Sequence, residues 1–155
     1  MIVLREMMNN DIPLFKKWLY LPHVAKWYHE PQDWIEEVEK QDNEFSWLHH
    51  FIVEDNGKPI GFCQYYACQD SDEPWGGYTK LKGTYSVDYL IGELDYLKKG
   101  FGKQILESLM YKIRTHDDAK RIVVEPEPEN KASCGLLISC GFDFDQATGI
   151  YVKEL

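Results

Sequence analysis

Apolar positions along the chain fall into helical stripes and short strand-like runs, punctuated by Gly, Pro, Asn and Asp. Residues 1–7 predict a first strand. Ile12, Phe15, Trp18 and Leu19 share one helical face, with Asp11 placed to cap that helix and Pro22 to end it. A short helical piece around residues 23–28 follows. Trp34, Ile35 and Val38 repeat at helical spacing, with Asp33 near the start of their helix. Residues 47–54 and 59–68 predict two strands. Asp55-Asn56-Gly57-Lys58 joins them as a hairpin, because Asn-Gly tolerates the positive φ of a tight turn. Residues 69–82, rich in Asp, Gly, Pro and Ser, predict a loop with a single tryptophan, Trp75. A fourth strand covers 84–91. The strongest helix runs from Gly100 to about residue 115, with Ile105, Leu106, Leu109, Met110 and Ile113 as its apolar stripe. A fifth strand at 120–125 precedes a helix at 130–140 that Gly141 stops. Strands at 142–146 and 149–154 close the chain, turning near Thr148-Gly149. The order β-α-α-β-β-β-α-β-α-β-β predicts an α/β arrangement on one mixed sheet.

A length of 155 residues fits a single domain, 1–155. With 44% hydrophobic and 14% aromatic residues, a packed core is expected rather than disorder. No apolar run approaches the ~18 residues of a membrane span, so no membrane partner is expected. The start, Met1-Ile2-Val3-Leu4-Arg5-Glu6, lacks the basic and long apolar stretches of a signal peptide, which points to the cytoplasm. A net charge of -9, from 26 acidic against 17 basic residues, argues against nucleic acid, which needs a basic face. An acidic surface attracts cations, or simply keeps the protein soluble. Cys63, Cys68, Cys134 and Cys140 form no C-x-x-C pair, so reduced, partly buried thiols and no metal site are expected.

Lys98-Lys99-Gly100-Phe101-Gly102-Lys103 leads into the long helix. Two glycines one residue apart let the backbone approach a ligand, and the N–H groups and dipole of a helix start suit a phosphate. The spacing is neither that of a Walker A loop nor that of a Rossmann fingerprint. Alone, the pair fits a helix entry that needs glycine equally well. Further on, Pro126-Glu127-Pro128-Glu129-Asn130 opens the helix from Lys131, whose Gly141-Phe142 ending sits about 40 residues beyond the glycine turn. The succession strand, Gly-x-Gly, helix, strand, Asn, helix, Gly-Phe, strand resembles the cofactor motifs of the GCN5-related N-acetyltransferase (GNAT) superfamily. Three further segments resemble its aminoglycoside 6′-N-acetyltransferase branch. They are residues 56–62 (Asn-Gly-Lys-Pro-Ile-Gly-Phe), residues 85–93 (Tyr-Ser-Val-Asp-Tyr-Leu-Ile-Gly-Glu), and Glu125-Pro126-x-Pro128-x-Asn130.

That resemblance implies a mostly antiparallel mixed sheet with central strands four and five splayed and helices on its flanks. It implies acetyl-CoA as donor, direct transfer and no metal. It also implies a pantetheine arm paired with backbone near Leu90 and Ile91, pyrophosphate at residues 98–103, and further cofactor contacts at Asn130, Cys134 and Leu137. Two departures stand out. Leu97 replaces the usual Arg or Gln of the glycine motif, and Leu137 replaces the tyrosine that protonates the leaving thiolate in many members. Leucine has no proton to give. Tyr85 and Tyr89 are the substitute donors to consider, beside water.

Asp88 is mid-strand, between Val87 and Tyr89, where a charge without a partner is expensive. It is either surface-facing or, as the resemblance implies, the substrate-binding and catalytic carboxylate. Glu125 matches a second acceptor-binding acid, and Glu127 and Glu129 read as an acidic rim. The two carboxylates Asp88 and Glu125 are expected to converge on the acceptor amine. Trp75, among Asp70, Asp72 and Glu73, either anchors the loop or offers an aromatic face to a cationic guest. Trp27-Tyr28-His29-Glu30 and Trp34 belong to the acceptor wall or to the core. His49 and His50 read as structural. The implied activity is acetylation of a small-molecule amine by a monomer or homodimer. The acceptor is aminoglycoside-like, with a peptide N-terminus, a polyamine, a siderophore precursor or a CoA-binding domain of little turnover as alternatives.

Overall fold

The computed structural model describes all residues, Met1–Leu155. Its strands are β1 (Ile2–Glu6), β2 (His49–Asp55), β3 (Lys58–Ala67), β4 (Thr84–Ile91), β5 (Arg121–Val124), β6 (Asp143–Asp145) and β7 (Ile150–Glu154). Its helices are α1 (Ile12–Leu19), α2 (Pro22–Ala25), α3 (Pro31–Glu39), α4 (Phe101–Arg114) and α5 (Lys131–Ser139). Hydrogen bonding orders the strands β1-β2-β3-β4-β5-β7-β6, with β4 and β5 parallel. The ladders β1–β2, β5–β7 and β6–β7 are antiparallel. This is the expected mixed, mostly antiparallel sheet. The β4–β5 register joins Thr84–Ser86 to Arg121–Val123, whereas β4 continues to Ile91. β5 thus pairs over three of its four residues, and the rest of β4 runs on beyond that ladder.

The hairpin between β2 and β3 turns on Asn56 at φ 50 and Gly57 at φ 84, two left-handed residues in succession. That is the backbone an Asn-Gly pair was expected to supply. Asp11 stands at the head of α1 but makes no capping bond there. Its carboxylate instead accepts from the Met8 N–H at 2.8 Å and from both terminal nitrogens of Arg5 at 2.9 Å. The hydrogen bond from Arg5 holds Asp11 below the usual carboxylate range. Arg5 also reaches Glu54 at 2.9 Å. A guanidinium fork outbids the helix N–H groups for the carboxylate, and the predicted cap becomes a clasp between β1, β2 and the entry to α1.

The chain divides into two compact units, Met1–Gln64 with Asp88–Ile105, and Tyr65–Val87 with Leu106–Leu155. In the first, Phe15, Trp18 and Leu19 of α1 pack with Ile35 and Val38 of α3, Ile52, Phe62 and Leu90. The rings of Phe15 and Phe62 lie 4.4 Å apart, centroid to centroid. Each such side chain contributes roughly 1.5–3 kcal/mol of burial, and together they fix the strands that carry Gln64 and Asp88. The second unit buries Leu109 and Ile113 of α4, Ile122 and Val123 of β5, Leu137 of α5, Phe142 and Ile150. None of the four cysteines is in a disulfide. No helix is long and apolar enough to cross a membrane.

Candidate active site

Asp88 lies in the first unit, inside β4 and partly buried. One partner comes from β3, where Gln64 Nε2 donates to Asp88 Oδ2 at 2.8 Å. Gln64 is 2% exposed. The expense of a mid-strand charge is thus offset by a buried amide. The other end of that amide, Oε1, has no hydrogen-bond partner. An unmet buried acceptor costs about 1–3 kcal/mol. Behind it stands His50, 5% exposed and against Phe62 at 5.7 Å. The ring faces Gln64 and the Glu37 backbone, yet neither of its nitrogens completes a well-formed hydrogen bond.

Burial pushes the His50 imidazole down to about 4 from 6.5. The unfolded chain therefore takes the proton first as pH falls. The stability of the neutral buried ring is complete above about pH 6.5 and is lost on the way down to pH 4. We expect a loss of about 2 kcal/mol from this ring between neutrality and pH 5, visible as a falling Tm. His50→Phe should flatten Tm over that interval. An equally steep Tm-against-pH curve in the variant would show that other groups set it.

The end of β4 is held by side chains from the segment after α1. The Tyr28 hydroxyl donates to the Tyr89 carbonyl and accepts from the Tyr89 N–H at 3.1 Å. His23 Nε2 contacts the Ile91 carbonyl at 2.9 Å. Tyr28 is partly buried, and desolvation, followed by the charge of Asp88, holds its phenol well above 10. Tyr28 and Trp34 meet edge to face at 5.0 Å. Trp27 is also partly buried, and its ring already carries a cation, Lys26 Nζ, at 4.9 Å. Leu90 is 5% exposed, so backbone rather than side chain is what it can offer a ligand.

The glycine turn belongs to the same unit. Lys98 at φ 60 and Gly100 at φ 83 bend the chain into α4. A left-handed residue alternating with ordinary ones turns successive N–H groups inward as an anion cradle. The first N–H groups of a helix have no partner within it. Lys98, Lys99, Gly100 and Lys103 are exposed, and Phe101 and Gly102 partly so. The set fits a pyrophosphate.

The remaining expected residues lie in the second unit. Glu125 follows β5 and is solvent-accessible; partial burial, then the charge of Glu73, raises its carboxyl above the ordinary range. Trp75 is not the open aromatic face that was one of the two expectations. It is 4% exposed, at φ 50, and 6.4 Å from the ring of Tyr66. Its indole N–H has no partner. Burial of a large ring outweighs the acidic character of its neighbours, and Trp75 anchors the loop. Asn130 caps α5, its Oδ1 accepting from the Ser133 N–H at 3.2 Å. Cys134 is partly buried, and its thiol donates to the Glu127 carbonyl at 3.8 Å. Leu137 is fully buried. Tyr85 donates to Asp118 at 2.7 Å, and burial pushes it well above its usual value, so its proton is committed elsewhere. Sequence reasoning missed Gln64, whose signal was a polar residue inside an apolar strand.

A cavity of about 290 Å³ lies in the first unit, against Glu6, Met7, Gln41, Asp42, His49 and His50; none of the expected site residues lines it. No cluster of three or more His, Cys, Asp or Glu could hold a metal.

The family described as an acetyltransferase (GNAT) domain matches residues 7–149. An aminoglycoside N(6')-acetyltransferase type 1 of Klebsiella pneumoniae is 23% identical over 153 residues, covering 92% of this chain and 74% of that protein. A crystal structure of an aminoglycoside acetyltransferase with coenzyme A and kanamycin has a TM-score of 0.84 at 22% identity, covering 99% of this chain and 95% of that one. An aminoglycoside N(6')acetyltransferase from Legionella pneumophila has a TM-score of 0.74 at 21% identity, over 99% and 91% of the two chains. The fold implied by the sequence resemblance is borne out by these likenesses.

Proposed function

We propose a function for this chain on the premise that it belongs to the GNAT acetyltransferase family: it moves an acetyl group from acetyl-CoA to a primary amine of a small, cationic, aminoglycoside-like acceptor. The observation that carries the reading is Asp88, a carboxylate inside β4 whose one oxygen is tied down by Gln64. At neutral pH an amine is mostly ammonium and has no lone pair for attack. A carboxylate attracts the cation and takes its proton, directly or through water. Acetyl-CoA supplies the thioester carbonyl that the freed amine attacks. The glycine turn with Lys98, Lys99 and Lys103 would hold its phosphates. Backbone N–H groups near Leu90 and Ile91 are the donors for the developing oxyanion. Leu137 offers no proton, and Tyr85 is engaged by Asp118. A thiol of pKa about 8.5 is a tolerable leaving group without help.

In this reading the chain acts as one domain, 1–155, in the cytoplasm, as a monomer or homodimer. Its partner is a small-molecule amine rather than nucleic acid or membrane. Leu137 favours a second reading, a CoA-binding domain with little turnover. The test is an amine panel with acetyl-CoA: kanamycin, a polyamine, a free peptide N-terminus and a siderophore precursor. Thiol release gives the rate and mass spectrometry identifies the product. Best turnover of a neutral or anionic compound, or no thiol release above background with any amine, would rule out the first reading.

Glu125 is the acceptor-binding acid in this proposal. Glu125→Gln should raise KM for a multiply charged amine severalfold and weaken its dependence on salt, with kcat little changed. Because its carboxyl sits above the ordinary range, it protonates early as pH falls. Wild-type KM should therefore rise on the acid side, and the variant should lack that rise. Identical KM-against-pH curves would remove Glu125 from the site.

A further inference from the structure

We infer that Gln64 is a positioning residue for the Asp88 carboxylate, acting through that carboxylate from inside the strand pair. The inference rests on the proposed function, in which Asp88 takes the acceptor's proton. An ionised carboxylate can only accept, so the amide must present Nε2 to Asp88 Oδ2, at 2.8 Å. The same choice turns Oε1 into the core towards His50, with which it completes no well-formed hydrogen bond. A glutamine kept for packing alone would satisfy that oxygen or give way to an apolar side chain. What the bond gains is direction. It pins one carboxylate oxygen in the sheet, and it favours the charged form that works as a base.

Titratable groups around Asp88 include Tyr28, which feels its charge, Tyr89 and Cys63, which act on Tyr28, and His50 behind Gln64. Burial keeps Tyr28 protonated well above 10 and His50 neutral down to about 4. Neither changes charge near neutrality.

The test uses the full chain carrying Gln64→Leu, with Gln64→Met as a second variant of similar volume. The side-chain carboxyl carbon of Asp88 is titrated by ¹³C NMR. Losing a donor to the charged form should raise its pKa by about one unit. An unmoved titration overturns the inference. Kinetics with kanamycin and acetyl-CoA give the second readout. With Asp88 intact, Gln64→Leu should lower kcat/KM about tenfold, mostly in kcat, and shift the acid limb of the pH profile upward with the NMR value. In an Asp88→Asn background the same change should cost less than about twofold. A tenfold loss in both backgrounds, or failure of both Gln64 variants to fold, makes Gln64 structural and overturns the inference. If the wild type leaves kanamycin untouched, that acceptor is wrong, and the NMR titration still decides the role of Gln64.

Discussion

Asp88→Asn should lower kcat/KM for a cationic acceptor by on the order of 10² or more. The substitution keeps the size of the side chain and leaves Gln64 an oxygen to donate to. It removes only the charge and the basic lone pairs. In the role proposed for Asp88, two effects then act together. The ammonium loses its counter-charge in a partly buried setting, where attraction is stronger than at the surface. The attacking nitrogen also loses its proton acceptor. The first effect weakens with salt and the second does not, so the residual rate in high salt isolates the loss of the base. Acetyl-CoA binding should stay near wild type, because the lysines and glycines of the turn are separate residues. Full activity in the variant would return Asp88 to a surface role.

Much of the fold was legible because its punctuation is chemical. Asn56-Gly57 makes a turn that few other pairs can make, and Gly141 stops α5 where expected. The apolar stripe of α4 needed no tertiary information. Asp11 and Trp75 show where local reading ends. Asp11 is a good cap by composition, yet Arg5 lies six residues earlier and takes its carboxylate through the β1–α1 fold-back. Trp75 sits in an acidic stretch that reads as surface, yet a left-handed backbone turns its ring inward. Both outcomes depend on contacts that spacing does not encode. Gln64 is the same lesson within the site. Its partner is 24 residues away on the next strand. No turn motif in the residues between them specifies that pairing. The family resemblance pointed to Asp88, but not to the amide that holds it.

Gly102→Val should abolish the rise in Tm that acetyl-CoA gives the wild-type protein. A ligand that binds only the folded state at a hundred times its Kd stabilises it by about 2.7 kcal/mol. For a chain of this size that is a shift on the order of 5–10 °C. Gly102 is the second residue of α4, in the turn where N–H groups lack helical partners. A β-branched side chain there stands between those donors and a phosphate. The helix itself should survive, since valine has a better helix propensity than glycine. Tm without ligand should therefore stay near wild type, which separates a blocked site from a damaged fold. Replacing Lys98, Lys99 or Lys103 by alanine should reduce the shift only in part and more at low salt, because each lysine adds one screened charge to the backbone cradle. Unchanged wild-type Tm at millimolar acetyl-CoA would refute the cofactor assignment at the turn. A Gly102→Val protein that still shifts fully would place the phosphates elsewhere in the chain.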